Sequence, residues 1–295
     1  MSEVAVRSHA IADGGANPCR TDAEATERQW HGTAVGSAAL ADPLTGHRRP
    51  WRVMGVSTHV WWCASEDTIL VVTDDRAVRL PNAVIVDPGP AVAPGTVSPG
   101  DLVSVGASSV ATPRACWRVV RWWDPRVAPV DADPSDVVRL LRAAARLMKL
   151  DHEEPLIATL RVGDHHRVVE QAGRLIGSGV GLTPEGDDFL AGAIAGHRHG
   201  GDSIGNVGVS TLLDQISPWV LNAARGSTTL LSFSLLRHAF ATEVAVPVGM
   251  LLRALTGRGD LPAAISATTE IGQSSGPALA RGVVGGVAAA CGVRL

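Results

Sequence analysis

The hydrophobic period of the chain changes once, near residue 130, and this change constrains the fold more than any other feature. Between residues 31 and 126, short runs rich in Val, Ile, Thr and Trp alternate with turn sequences such as Ser98-Pro99-Gly100-Asp101, a pattern typical of strands. After Pro134, apolar residues recur at helical spacing, as in Val137, Leu141 and Ala144. The sequence therefore predicts an α+β chain, in which a small antiparallel β domain (sheet or barrel) precedes an all-helical domain.

The same patterns set the predicted boundaries. Residues 1–30 are polar and are predicted to form a disordered leader, and 31–126 form the β domain. The segment 124–134 is rich in Asp and Pro and serves as a linker, and residues 135–295 form the helical domain, with Ser135 as the N-cap of its first helix. Later helices are predicted over 164–176, 187–199, 210–224, 228–240, 246–256, 261–271 and 276–290.

Composition excludes several classes of function. The net charge is −3, so there is no global basic field to attract nucleic acid or an acidic membrane. No apolar run reaches the roughly 18 residues that a membrane span needs. We therefore expect a cytoplasmic protein that binds neither nucleic acid nor membrane.

Cysteine and tryptophan have structural interpretations. Cys19, Cys63, Cys116 and Cys291 are scattered without a CxxC motif, and we expect reduced thiols. Seven of the eight tryptophans lie between residues 30 and 123. They are predicted to fill the core and one face of the β domain; an aromatic ligand platform is the alternative.

The most specific stretch is Leu175–Gly196, LIGSGVGLTPEGDDFLAGAIAG. Glycines at 177, 179 and 181 allow positive φ and close approach to a ligand, and their N–H groups can form an anion-binding nest. Thr183-Pro184 is predicted to be an N-cap followed by a first-turn proline, and Gly186 lies in that first turn. A tight structural turn is the alternative to a ligand cradle.

Asp187 and Asp188 follow this loop and are the candidate catalytic residues. One of them can hold Mg²⁺ or an amide NH₂ group, or act as a general base; helix-start electrostatics alone is the structural alternative. No GK[ST] follows the loop and no strand precedes it, which excludes a Walker A loop and a Rossmann fingerprint. His197 and His199 make a poor zinc motif and are interpreted as helix-end residues that favour the dipole.

Two further junctions between helices carry small hydrogen-bonding groups. The first contains Arg225, Thr228, Thr229 and Ser232, an arginine and hydroxyls at a predicted helix start. The second contains Ser274, Ser275 and Gly276. Each has a structural explanation in caps and turns. Together with the Gly177–Asp188 loop they predict one pocket for a small anionic metabolite, in which all three junctions meet.

The motif Gly177-x-Gly179-x-Gly181-Leu182-Thr183-Pro184-x-Gly186-Asp187-Asp188 resembles that of the bacterial family that includes the H subunit of oxamate carbamoyltransferase, from allantoin and purine degradation. The usual form reads GLTPSGDD, and Glu185 stands here in place of the serine. Thr228-Thr229-x-x-Ser232 and Gly272-x-Ser274-Ser275-Gly276 extend the resemblance. It implies a transferase assembled with other protein subunits, converting oxalurate and phosphate to oxamate and carbamoyl phosphate.

Three functions are thus open. The chain is a carbamoyltransferase subunit in a hetero-oligomer, a stand-alone Mg²⁺-dependent enzyme on a phosphorylated metabolite, or a non-catalytic binding or scaffolding subunit. The resemblance favours the first.

Overall fold

The computed structural model describes residues 29–87 and 96–295. The chain divides into two compact units, Met1–Pro125 and Arg126–Leu295. Residues 1–28 of the predicted leader lie outside the described residues, and Trp30 already begins the first strand.

Within residues 29–87 and 96–125, the first unit is a closed eight-stranded barrel in the order β1-β5-β4-β3-β2-β6-β7-β8. Its strands are β1 (Trp30–Ser37), β2 (Arg49–Val56), β3 (Val60–Ser65), β4 (Thr68–Thr73), β5 (Ala83–Val86), β6 (Leu102–Gly106), β7 (Ser109–Ala111) and β8 (Ala115–Trp123), with a short helix, α1 (Ala41–Thr45), after β1.

The prediction of a small β domain is confirmed, with one difference in strand direction. Six neighbouring pairs are antiparallel, whereas β1–β8 and β4–β5 are parallel. Alternating hydrophobicity reports which face of a strand is buried and carries no information about its direction. The hydrophobic pattern therefore could not predict that β1 and β8 pair in parallel and close the barrel.

Tryptophans fill the interior of the barrel, as predicted. Trp61 and Trp117 are fully buried, and their ring centroids are 6.4 Å apart. Trp30 packs edge-on against Trp117 at 6.1 Å. Burial of such large rings supplies much of the apolar area that a barrel of this size needs.

The expectation of four reduced cysteines is wrong for Cys116, which is disulfide-bonded. Cys63 is a free thiol inside the barrel, and burial raises its pKa well above the usual range. The spacing of the cysteines did not predict this disulfide, because disulfide connectivity follows the fold and cannot be deduced from sequence alone.

Helices make up the described part of the second unit, which confirms the predicted all-helical domain. They are α2 (Pro134–Met148), α3 (Pro155–Val162), α4 (His165–Leu175), α5 (Glu185–Ser203), α6 (Val207–Ala224), α7 (Leu230–Phe240), α8 (Val246–Leu255), α9 (Leu261–Thr269) and α10 (Ser275–Ala290). Nowhere in 29–87 or 96–295 does a helix combine the length and apolar character that crossing a membrane requires.

The first helix starts two residues earlier than predicted. Asp133, and not Ser135, is the N-cap of α2, since its side chain accepts hydrogen bonds from the N–H groups of Ser135 and Asp136. Pro134 takes the first helical position, where its fixed φ suits the helix and its missing N–H costs nothing.

Helix α5 lies at the centre of this unit and packs directly on α10. Glycines at 192 and 196 on α5, and at 282 and 286 on α10, let the two backbones approach so closely that a Cβ at any of them would collide with a carbonyl oxygen of the other helix. From Gly186 to Gly201 only Arg198 of α5 is not buried. This packing fixes the first turn of α5, which carries Asp187 and Asp188.

Candidate functional site at the start of helix α5

The loop from α4 to α5 takes the conformation that its glycines predict. Gly177, Gly179 and Gly181 have φ of +71°, +118° and +99°. A Cβ at Gly177 would collide with the carbonyl oxygen of Ser227, and one at Gly179 would lie 2.7 Å from the nitrogen of Glu185. Both the backbone conformation and the space therefore require glycine at these two positions.

The predicted capping role of Thr183 is wrong. The helix begins at Glu185, and its N-cap is Pro184, which has no side-chain capping bond. Thr183 therefore lies one residue before the capping position. Its hydroxyl instead lies 2.9 Å from Oγ of Ser275, in the first turn of α10.

Asp187 connects two loops inside the protein. Its side chain is 2% exposed. Oδ1 accepts a hydrogen bond of 2.8 Å from the N–H of Gly177, and Oδ2 accepts one from the hydroxyl of Thr228. The Gly177 N–H thus already binds a carboxylate, and that carboxylate belongs to the chain itself.

Asp188 is buried in a different way. It is 5% exposed, and its Oδ2 has no hydrogen-bond partner in the part of the chain that the structure describes. Burial raises the pKa of Asp188 to about 6; the hydroxyls of Ser275 and Thr183 lower it in part. A buried carboxyl with an unsatisfied oxygen is costly to maintain, which is a feature typical of functional sites.

Acidic groups surround this point. The first turn of α5 carries Glu185, Asp187 and Asp188, and the negative charges of Asp187 and Glu185 contribute to the raised pKa of Asp188. Arg281 of α10 pairs with Glu185, with Nη2 2.7 Å from Oε1. Arg281 was not predicted from the sequence, because no spacing rule connects positions that are 96 residues apart.

Backbone donors at this helix start are largely engaged. The N–H of Gly186 donates to the carbonyl of Ser178 at 2.8 Å, and those of Asp187 and Asp188 donate to the carbonyl of Pro184. Few N–H groups of the first turn are left to a ligand.

The second predicted junction joins this loop at its edge. Thr229 caps α7, since its Oγ1 accepts from the N–H of Ser232 at 3.1 Å, and it donates to the carbonyl of Leu182 at 2.6 Å. Ser232 is buried, and its hydroxyl has no partner among the described residues. Arg225 is exposed, with its guanidinium 5.1 Å from the ring centre of Phe233.

The third junction contributes Ser275 to the site. Ser274 next to it is exposed. Gly276 faces the carbonyl oxygen of Thr268, which leaves no room for a side chain. Direct hydrogen bonds thus link Gly177, Asp187 and Thr228 in one set and Thr183 with Ser275 in a second. Asp188 adjoins the second set, since the hydroxyls of Ser275 and Thr183 bond its side chain.

A magnesium site has little support in this arrangement. Within 29–87 and 96–295, no group of three or more His, Cys, Asp or Glu side chains is placed to hold a metal ion. Both oxygens of Asp187 are engaged by the protein. Mg²⁺ at Asp187 and Asp188 stays a prediction.

The interpretation of His197 and His199 as helix-end groups is wrong. Helix α5 continues to Ser203, and both side chains are buried, at 2% and 1% exposure. Burial lowers the pKa of each histidine to about 4. They are therefore neutral at neutral pH, and His197 Nδ1 lies 3.2 Å from the carbonyl oxygen of Gly286 on α10.

Comparison with known proteins identifies one related family. Residues 175–287, which extend from the glycine loop through most of α10, match the family described as oxamate carbamoyltransferase subunit AllH. No curated protein and no solved structure matches the chain. The match covers less than half of the chain and includes every residue of the site. Over that stretch the chain is similar to the oxamate carbamoyltransferase subunit family, which confirms the resemblance carried by the glycine motif.

Proposed function

We propose that this chain is a subunit of an oxamate carbamoyltransferase assembly and that Asp188 binds the amide end of its substrate. The observation that carries the proposal is the buried Asp188 carboxyl, which has an unpartnered oxygen beside two hydroxyl groups. The family match supplies the class of reaction.

The local charge favours an N–H donor over a phosphate. Three carboxyl groups in one helical turn repel an anion, and Arg281 is already paired with one of them. Oxamate and the carbamoyl group both carry an NH₂, whose hydrogens suit the free oxygen of Asp188. The hydroxyls of Thr183 and Ser275 hydrogen-bond the Asp188 carboxyl and each other, and so hold it in place. The phosphate then requires other groups, from elsewhere in the chain or from a partner subunit.

The pKa of Asp188 also suits proton transfer. When a phosphate oxygen attacks the carbamoyl carbon of oxalurate, the C–N bond to oxamate breaks and the departing nitrogen takes a proton. A carboxyl group with a pKa of about 6 is partly protonated near neutral pH and can supply that proton. Monohydrogen phosphate, as the attacking group, releases a proton that restores the carboxyl. We assign this role to Asp188 and a positioning role to Asp187.

A non-catalytic subunit is the second candidate. Trp219 on α6 is 62% exposed and Val207 is 76% exposed. Large exposed apolar side chains are enriched where proteins meet partners. In that case the chain supports an assembly whose chemistry lies in another subunit.

Reconstitution with partner subunits tests the proposal. We expect Asp188→Asn to lower kcat for carbamoyl phosphate formation by about 100-fold or more. Asp202→Asn, an exposed position on the same helix, is the matched control and should retain the wild-type rate. A wild-type kcat in an assembled complex that contains Asp188→Asn would contradict the catalytic role. If Trp219→Ala also prevented assembly, the two results together would favour the second candidate.

A further inference from the structure

A separate cavity of about 150 Å³ lies in the helical unit, beside the C-terminal ends of α2 and α10. Its lining includes the apolar residues Ile157, Phe189 and Ala288 and the basic residues Lys149 and Arg281. A cavity of about this volume accommodates a benzene ring. An apolar recess with a few polar groups at its mouth is the usual form of a small-molecule site.

The acidic side chains around this cavity are balanced by neighbours. Glu153 forms an ion pair with Arg161, with Oε1 3.0 Å from Nε, and Arg294 lies 3.7 Å from its other oxygen. These contacts neutralise the one carboxylate of the lining that is largely buried.

The other two acids flank a histidine. His152 Nδ1 lies 2.7 Å from Asp151, and Nε2 lies 3.4 Å from Glu154. The hydrogen bond with Asp151 and the charge of Glu154 raise the pKa of His152. Lys149 and Arg281 are then the groups best placed to receive an anion.

Lys149 occupies a position where glycine is usual. It is the C-cap of α2, with φ of 55° and ψ of 45°. A residue with a Cβ costs about 1 kcal/mol there. It is also the only lysine of the chain. The chain thus places its only lysine, in an unfavourable backbone conformation, among the residues that line the cavity.

We propose that this cavity binds a small aromatic or short aliphatic monocarboxylate. The hydrocarbon part lies against Ile157 and Phe189, and the carboxylate pairs with Lys149 and Arg281. This site is additional to the one at Asp188, which lines no part of this cavity.

Glu185 competes with such a ligand. Arg281, one of the residues that line the cavity, also pairs with Glu185, with Nη2 2.7 Å from Oε1. An incoming carboxylate must share or displace that partner. Neutralising Glu185 therefore frees Arg281 and strengthens binding, an effect that a site without Arg281 would not show.

Benzoate titrated into the full chain and followed by calorimetry tests the proposal, with benzylamine as the charge-reversed probe. We expect saturable benzoate binding, weaker benzylamine binding, and an affinity for benzoate about tenfold lower in Lys149→Met and Arg281→Met. Glu185→Gln should bind benzoate more tightly than wild type. Arg142→Met, an exposed change on α2, should bind as wild type does.

Lys149→Gly separates binding from folding. The change removes the Cβ that is unfavourable in this left-handed backbone conformation, so it should raise the melting temperature. It also removes the ammonium group, so it should weaken benzoate binding. The proposal is overturned if wild type shows no saturable binding of benzoate, or if it binds benzylamine as tightly as benzoate. It is also overturned if folded Lys149→Gly and Arg281→Met bind benzoate with wild-type affinity.

Discussion

The backbone N–H of Gly177 donates to Oδ1 of Asp187 at 2.8 Å, so the glycine loop binds a carboxylate of its own chain. The same side chain receives the hydroxyl of Thr228. Asp187 therefore connects the loop before α5 to the start of α7. The adjacent Asp188 keeps an oxygen free, and this contrast between neighbours defines the proposed division of roles.

Asp187→Ala tests the positioning role. The change leaves a buried N–H and a hydroxyl without their acceptor, and each such loss costs roughly 1–3 kcal/mol. We expect the free energy of unfolding to fall by about 3 kcal/mol in urea titration. Thr228→Val removes only one of the two bonds and should cost less. Equal stability of Asp187→Ala and wild type would show that these bonds do not hold the loop.

Asp188 should oppose folding at neutral pH. Its folded pKa of about 6 lies above the ordinary value of 3.8, so its stabilising contribution is complete below pH 3.8 and is lost as pH rises through 6. Asp188→Asn removes this dependence. Relative to wild type, the variant should gain stability between pH 4 and pH 7, by at most about 3 kcal/mol. Denaturant unfolding across this range measures the gain, and a gain that shrinks with rising pH would refute the account.

His197 and His199 should make the helical unit sensitive to acid. Their folded pKa values of about 4 lie below the ordinary 6.5, so the stability they contribute is present above pH 6.5 and is lost as pH falls towards 4. We expect His199→Gln to flatten this decline in unfolding measurements. His166→Gln, at an exposed position on α4, serves as the control, and an equal effect of both changes would argue against buried neutral histidines.

The contact between α5 and α10 should not tolerate a methyl group. Gly286→Ala would place Cβ against the carbonyl oxygen of Ala193, and we expect a loss of about 1–3 kcal/mol. Gly173→Ala on the exposed face of α4 meets no atom within 4 Å and should stabilise by about 0.5–1 kcal/mol. If Gly286→Ala had a higher melting temperature than Gly173→Ala, a close backbone contact between α5 and α10 would be excluded.

Periodicity was sufficient to predict the two kinds of unit. The change from strand to helix spacing near residue 130 is local information, and so is the glycine loop before α5. The direction of β1 relative to β8 and the disulfide of Cys116 depend on the folded topology, which no local pattern encodes.

The sequence predicted several residues of the site, but it did not predict which of them contact each other. Asp187 and Asp188 are adjacent in sequence and have the same side chain, so only the structure distinguishes a carboxylate with two internal partners from one with a free oxygen. Thr183 was expected to cap α5 because Thr-Pro is a common helix start. It contacts Ser275 instead, 92 residues further along the chain.

Calorimetric titration of the full chain with oxamate and with oxalate at neutral pH tests the central assignment most directly. The two ligands differ in that oxamate has an amide where oxalate has a second carboxylate. We predict that wild type prefers oxamate and that Asp188→Asn loses this preference by about tenfold or more, while Asp202→Asn keeps it. Undiminished preference for oxamate in Asp188→Asn, or tighter binding of oxalate by wild type, would contradict the assignment of Asp188 as the group that receives the amide.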